Sequence, residues 1–232
     1  MTIALRRAAI GRGPSAAVPP MDARITAGAP VVIAVETAER PALVALMLAG
    51  RLKAESGDVL IDGAATGRDR RAARRLRESV ALVDTPTVAE PSPGVALELV
   101  VAEELEFAGR PSGARRVRSL LAREGLAEHA RTPMRAVPPA VRIRLLARLA
   151  LLRHGVDTLI VTSPERHGGD PRAWFGALRE LAEFGIRIAI VTDAATAALL
   201  VTMGARSADA PAPEAAPAPE TSDIPTPLAE AS

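Results

Sequence analysis

Short, unbroken apolar runs alternate along the chain with longer stretches in which apolar residues recur at three- and four-residue intervals. Val31-Val32-Ile33-Ala34-Val35 and Leu159-Ile160-Val161 are two of the runs. Strands buried on both faces of a sheet read this way, because neither face leaves a polar alternation. The pattern predicts strands at 31–36, 58–62, 80–84, 158–162 and 186–192. It predicts helices at 41–52, 68–78, 97–108, 114–124, 139–153 and 171–183. Pro139 and Pro171 suit the first turn of a helix, where the missing N–H has no partner to lose. Alternation of this kind is the signature of an α/β fold with a mostly parallel sheet flanked by helices. The gap between the third and fourth strands predicts a helical insert at about 97–133. From about 207 to 232 the chain is an Ala-Pro series with scattered acids, which buries too little apolar surface to order itself. The expected organisation is one domain over 1–206 and a disordered tail over 207–232.

Composition narrows the functional classes. The chain has 232 residues, 48% of them apolar and 24% charged, enough for one α/β domain with a core. Its net charge of +2 is too small to steer a polyanion, and the calculated pI of 10.2 reflects a shortage of titrating groups: one lysine, Lys53, and no tyrosine. Nucleic acid is not implied as a partner. Cysteine is absent, which removes disulfides, thiolate metal sites and cysteine nucleophiles. No apolar run approaches the roughly 20 residues that span a bilayer, so direct membrane insertion is not expected. A cytoplasmic location is expected.

The first apolar run leads directly into a helix-forming stretch, the position of a phosphate-binding turn in P-loop proteins. Here the turn reads Glu36-Thr37-Ala38-Glu39-Arg40-Pro41-Ala42, without glycine or lysine. Further on come Leu48-Ala49-Gly50-Arg51-Leu52-Lys53-Ala54-Glu55-Ser56-Gly57-Asp58-Val59-Leu60-Ile61-Asp62-Gly63, then Gly125-Leu126-Ala127-Glu128-His129, then Val156-Asp157-Thr158-Leu159-Ile160-Val161. In this order the segments resemble the ATP-binding subunit of an ABC transporter, collinear from about Thr2 to Ala205. The resemblance implies a P-loop NTPase-like fold and a set of nucleotide-handling elements.

Those elements are degenerate in this chain. The phosphate turn puts Pro41 at the lysine position and Ala42 at the metal-binding hydroxyl. Glu36 and Glu39 add negative charge at a helix N-terminus that would otherwise favour phosphate. Losing three charge-assisted contacts at about 2 kcal/mol each amounts to about 6 kcal/mol, on the order of 10⁴ in affinity. The strand end that should carry an aspartate and a glutamate carries Thr162 and Ser163, and neither acts as a general base at neutral pH. The signature loop falls on Val137-Pro138-Pro139-Ala140-Val141, the switch histidine on Asp193 and the Q-loop glutamine on Thr85. No aromatic lies near Gly11 to Gly13 to stack on adenine, and Gly168-Gly169-Asp170-Pro171 is the one surviving trace, similar to the D-loop.

The expected function is therefore a degenerate, transporter-associated cassette subunit with a scaffolding or regulatory role and little or no ATP hydrolysis. No catalytic residue, metal ligand or cofactor is assigned. The resemblance implies a membrane permease or another ABC subunit as partner, allows a dimer, and places the chain at the inner membrane face through that partner. One alternative is a subunit that still binds Mg-ATP and couples it to transport, with Thr37 and Arg40 on the phosphates. Another is an interaction module unrelated to transport, using the insert and the tail. The arginines of 68–77 read as a solvated helix face, and Glu103, Glu104 and Glu106 as dispersed surface acids. His129, His154 and His167 lack metal-ligand spacing and read as surface residues.

Overall fold

The computed structural model describes residues 1–36 and 40–208. The expected tail, apart from its first two residues, and the turn residues at 37–39 lie outside that set. The strands are β1 (Ile3–Ile10), β2 (Val18–Ile25), β3 (Val31–Ala34), β4 (Ser56–Ile61), β5 (Ala64–Ala65), β6 (Val80–Val83), β7 (Thr158–Thr162), β8 (Arg187–Thr192) and β9 (Arg206–Ser207). The helices are α1 (Arg40–Leu48), α2 (Arg70–Ser79), α3 (Leu97–Phe107), α4 (Ala114–Arg123), α5 (Pro139–Ala150), α6 (Pro171–Glu183) and α7 (Ala194–Thr202).

A parallel sheet of order β6-β7-β8-β3-β9 forms the centre. Its period-two geometry divides the core. Val32, Ala81, Val83, Leu159, Val161, Ile188 and Ile190 pack with α3 to α7, including the fully buried Trp174 and Phe175. Val31, Ile33, Val80, Leu82, Ile160, Ala189 and Val191 face the other way, onto α1 and a second sheet. That dual burial is why the strands carry no polar alternation.

The second sheet is antiparallel, in the order β2-β1-β4-β5. It corrects the expectation for 58–62, which belongs here and not to the parallel sheet. β1 and β2 were not expected from the sequence. Both are interrupted by arginine, aspartate and proline, and their alternation is broken by register shifts between Leu5 and Ala8 and between Ala8 and Ile10. Helix α7 was also unexpected, because nothing polar marks it except its cap: Asp193 Oδ1 accepts from the Thr196 N–H at 2.9 Å. Helix α1 ends earlier than its apolar pattern, since Gly50 turns at φ +65°. Ala96 and Pro133 form an isolated antiparallel bridge, so the ends of the excursion carrying α3 and α4 lie side by side.

The bulge in β1 needs one particular glycine. Arg7 sits at φ +46°, and a Cβ placed on Gly57 (φ +71°) would fall 2.1 Å from its carbonyl oxygen. Gly57→Ala should cost about 3 kcal/mol or more, because backbone must move. Gly63→Ala, at φ +82° in open space, should cost only about 1–2 kcal/mol. Urea unfolding of the two variants measures the difference.

Candidate functional site

The C-terminal ends of β3, β6, β7 and β8 face one edge of the sheet, where ligands bind in open α/β folds. Most positions singled out from the sequence lie near that edge. Thr37, one of the two residues expected to meet phosphates if nucleotide binding survives, lies outside the described residues. Arg40, the other, opens α1 and is already engaged. Its Nε donates to the Ala17 carbonyl at 3.0 Å, Nη2 to the Ala16 carbonyl at 3.5 Å and Nη1 to Glu36 Oε2 at 3.1 Å. The side chain thus ties the start of α1 to the connection between β1 and β2.

Thr162 ends β7 and Thr85 follows β6 by two residues. Both are fully buried, and their Oγ1 atoms share a hydrogen bond of 2.9 Å. Magnesium demands oxygen ligands with negative charge among them, so two neutral hydroxyls satisfied by each other do not fit the ion. Asp193, at the switch position, spends its carboxylate capping α7: Oδ1 accepts from the Thr196 N–H and Oδ2 from the Thr196 hydroxyl at 2.8 Å. At the signature position Pro138 caps α5 and Pro139 opens it, with no side-chain cap.

Between these positions lies a charge cluster that the sequence did not announce. Asp84, which directly follows β6 with φ +55°, has a side chain with no exposure. Arg142, from the first turns of α5, grips it side-on: Nε to Oδ2 at 2.9 Å and Nη2 to Oδ1 at 2.7 Å. His167 Nε2 meets Oδ2 at 2.7 Å, and Arg166 Nη2 lies 3.3 Å from Oδ1. Arg166 also donates to the Asp84 carbonyl at 2.6 Å, to the Thr162 carbonyl at 2.6 Å and to the Ser163 carbonyl at 3.1 Å. These contacts hold two left-handed, non-glycine residues, Asp84 and Ser163 (φ +45°), at adjacent strand ends. Glu90 approaches Arg166 at 3.2 Å, so two carboxylates face two guanidiniums.

Burial alone would raise the Asp84 carboxyl. The hydrogen bonds from Arg142 and His167 and the charges of Arg142 and Arg166 outweigh it and bring the pKa down to about 2. Asp84, Glu90 and His167 have the donor types of a cation site, with ligand atoms within 4.8 Å of one another. Two guanidiniums already hold the Asp84 oxygens, which makes this an ion-pair cluster and a poor place for a further cation. His167 is therefore not the surface residue expected from its spacing, whereas His129 and His154 are exposed. The only available signal was the order Asp84, Arg142, Arg166, His167, too dispersed to read without the fold. Glu165 was also missed. Burial pushes its carboxyl up and the Asp193 charge adds to this, against the opposing pull of Thr192 and Arg166.

The fold that carries these residues is that of ATP-binding cassettes. The chain is similar to a nucleotide-free ATP-binding cassette from an ABC transporter, with 14% identity, 86% of this chain and 85% of that chain covered, and a TM-score of 0.60. It is similar to a putative ABC transporter ATP-binding protein from Pyrococcus furiosus, at 11% identity, 83% and 92% coverage and a TM-score of 0.58. It is also similar to cbiO1 from Clostridium perfringens, part of the ABC transporter complex cbiONQ, at 20% identity, 82% and 78% coverage and a TM-score of 0.57. No protein-family model and no curated protein matches the sequence. The chain has the ATP-binding-cassette fold, with a P-loop NTPase-like parallel sheet flanked by helices.

Removing one partner of the buried pair should be severe: Arg142→Ala is expected to cost about 3–5 kcal/mol in urea unfolding. Because the folded pKa of Asp84 lies below its ordinary 3.8, its contribution is complete above that value and lost as the pH falls through about 2. The difference corresponds to about 2 kcal/mol. Native protein should lose that much more stability than Asp84→Asn between about pH 6 and about pH 2.

Proposed function

We propose that this chain is a transporter-associated cassette subunit that acts as a scaffold or regulator and carries out little or no ATP hydrolysis. The observation that carries the reading is the Thr85–Thr162 hydroxyl pair, which takes the place of a magnesium-binding carboxylate and the Q-loop side chain. The engaged Arg40 guanidinium adds to it, since phosphates would have to displace three protein acceptors to reach that cation. A membrane permease or another ABC subunit is the proposed partner. Among the described residues no helix is long and apolar enough to cross a membrane, so membrane attachment would run through that partner. In ABC transporters each ATP lies between the phosphate turn of one subunit and the signature of the other. A chain degenerate at both would impair both sites of a mixed dimer, which favours a structural role over pairing with a competent subunit.

A second reading keeps residual ATP chemistry, and one observation favours it. Glu165, three residues beyond Thr162, is a half-buried carboxyl whose pKa burial pushes up, and it is the acid that follows the β7 strand end. Fold alone does not choose between the two. The triple substitution Arg40→Gly, Pro41→Lys, Ala42→Ser does. It restores a flexible turn, a phosphate-binding ammonium and a metal-binding hydroxyl, so it should tighten ATP binding at least about tenfold while phosphate release stays at the mock-purified level. Phosphate release by the native chain that disappears in Glu165→Gln would establish the second reading and end the first.

A further inference from the structure

At the other end of α1, about 13 Å from the phosphate-turn position for a nine-residue helix, the surface opens into a cavity of about 360 Å³. It lies between the turn after α1, the start of β4, the turn after β5 and the last turns of α2. Arg51, Lys53 and Arg77 all line it, and the only lining carboxylate is Asp58. That carboxylate is committed elsewhere, to Arg6 at 2.6 Å and to Arg68 at 3.9 Å. The acids adjacent in sequence are committed too. Glu55 accepts from the Gly11 N–H, and Glu78 pairs with Arg74 at 2.7 Å. Among the described residues none of Arg51, Lys53 and Arg77 has a carboxylate partner.

Part of this charge has an ordinary structural use. Arg51 Nη1 donates to the Ala49 carbonyl at 3.2 Å and the Val80 carbonyl at 3.3 Å, and Arg77 stands in the last turn of α2, where the helix dipole favours a cation. Two helix ends offer about one negative charge in all, against three cations. The imbalance acts on the protein itself: burial first, then the charges of Arg153 and Arg77, hold the Arg51 guanidinium below its ordinary value. A neighbourhood that crowds like charge without a counterion is complementary to an anion.

We propose that this cavity is a binding site for a small phosphorylated solute, with Lys53 and Arg77 holding the phosphate and Arg51 forming its cationic floor. Guanidinium forks match phosphate oxygens in pairs, and the ammonium adds a point charge. The volume suits a compact ligand, since small-molecule sites begin at about 300 Å³. Gly67, where a Cβ would meet nothing within 4 Å, leaves one wall open to the backbone. The site is separate from the nucleotide position and does not depend on whether ATP binds there.

Pyrophosphate and inorganic phosphate are the probes, titrated calorimetrically into the full chain at low and physiological salt. Pyrophosphate should bind more tightly than phosphate, weaken as salt rises, and lose at least about tenfold in affinity in Lys53→Gln/Arg77→Gln, which removes two charge-assisted contacts. Arg70→Gln/Arg71→Gln removes the same charge from α2 outside the cavity and should leave binding within about twofold. Unfolding midpoints of both doubles without ligand confirm that the fold is kept; if the cavity double unfolds, the single variants Lys53→Gln and Arg77→Gln decide. Equal weakening in the two doubles, or no binding by the native chain, overturns the site. Binding that survives the cavity substitutions but is lost in Arg40→Ala would put the anion at the phosphate turn. That would overturn this inference and count against the proposed function.

Discussion

The buried pair between Asp84 and Arg142 is the interaction on which the ligand edge of this molecule depends. It joins the end of β6 to the first turns of α5, with His167 and Arg166 bringing in the segment after β7. Taking an ion pair out of water costs several kcal/mol per charge, recovered only when the geometry is good and every remaining donor is satisfied. Here the guanidinium is gripped side-on and its spare Nη1 donates to the Met134 carbonyl at 3.3 Å. The result is a cluster of two carboxylates and two guanidiniums at the C-terminal edge of the parallel sheet, where ligands bind in open α/β folds.

The neighbouring positions follow the same logic. Where a catalytic centre keeps unsatisfied donors and charges ready for a ligand, this chain satisfies them internally: the two threonine hydroxyls with each other, Asp193 with the α7 N-terminus, Arg40 with two carbonyls and Glu36. A preorganised site derives its power from polar groups aimed at charge that develops on the substrate. Groups already paired have no such capacity without breaking existing bonds. At the far end of α1 the balance is reversed, with three cations left without carboxylates among the described residues.

How much of this was legible depended on whether the signal was local. The central strands β3, β6, β7 and β8 were readable because burial on both faces imposes continuous apolar runs. Helices α5 and α6 were readable from their prolines and spacing. β1 and β2 were not, because bulges and exposed faces scatter their alternation, and β4 reads as apolar while its partners are antiparallel. At the site, the sequence showed Pro41, Thr162 and Ser163 at the positions where the resemblance implies a lysine and two acids. The buried ion-pair cluster beside them was not legible. Asp84, Arg142, Arg166 and His167 come from three separate stretches of chain, and only the sheet order β6-β7 with α5 packed on it brings them together.

Among the described residues, Arg40, Thr85, Thr162 and Asp193 are all engaged by the protein's own bonds, and on the proposed function this leaves nothing to hold ATP. Isothermal titration of the native chain with Mg-ATP at physiological salt tests it most directly. No saturable heat is expected up to millimolar nucleotide. A dissociation constant below about 100 μM, equivalent to roughly 5.5 kcal/mol of binding free energy, would contradict it.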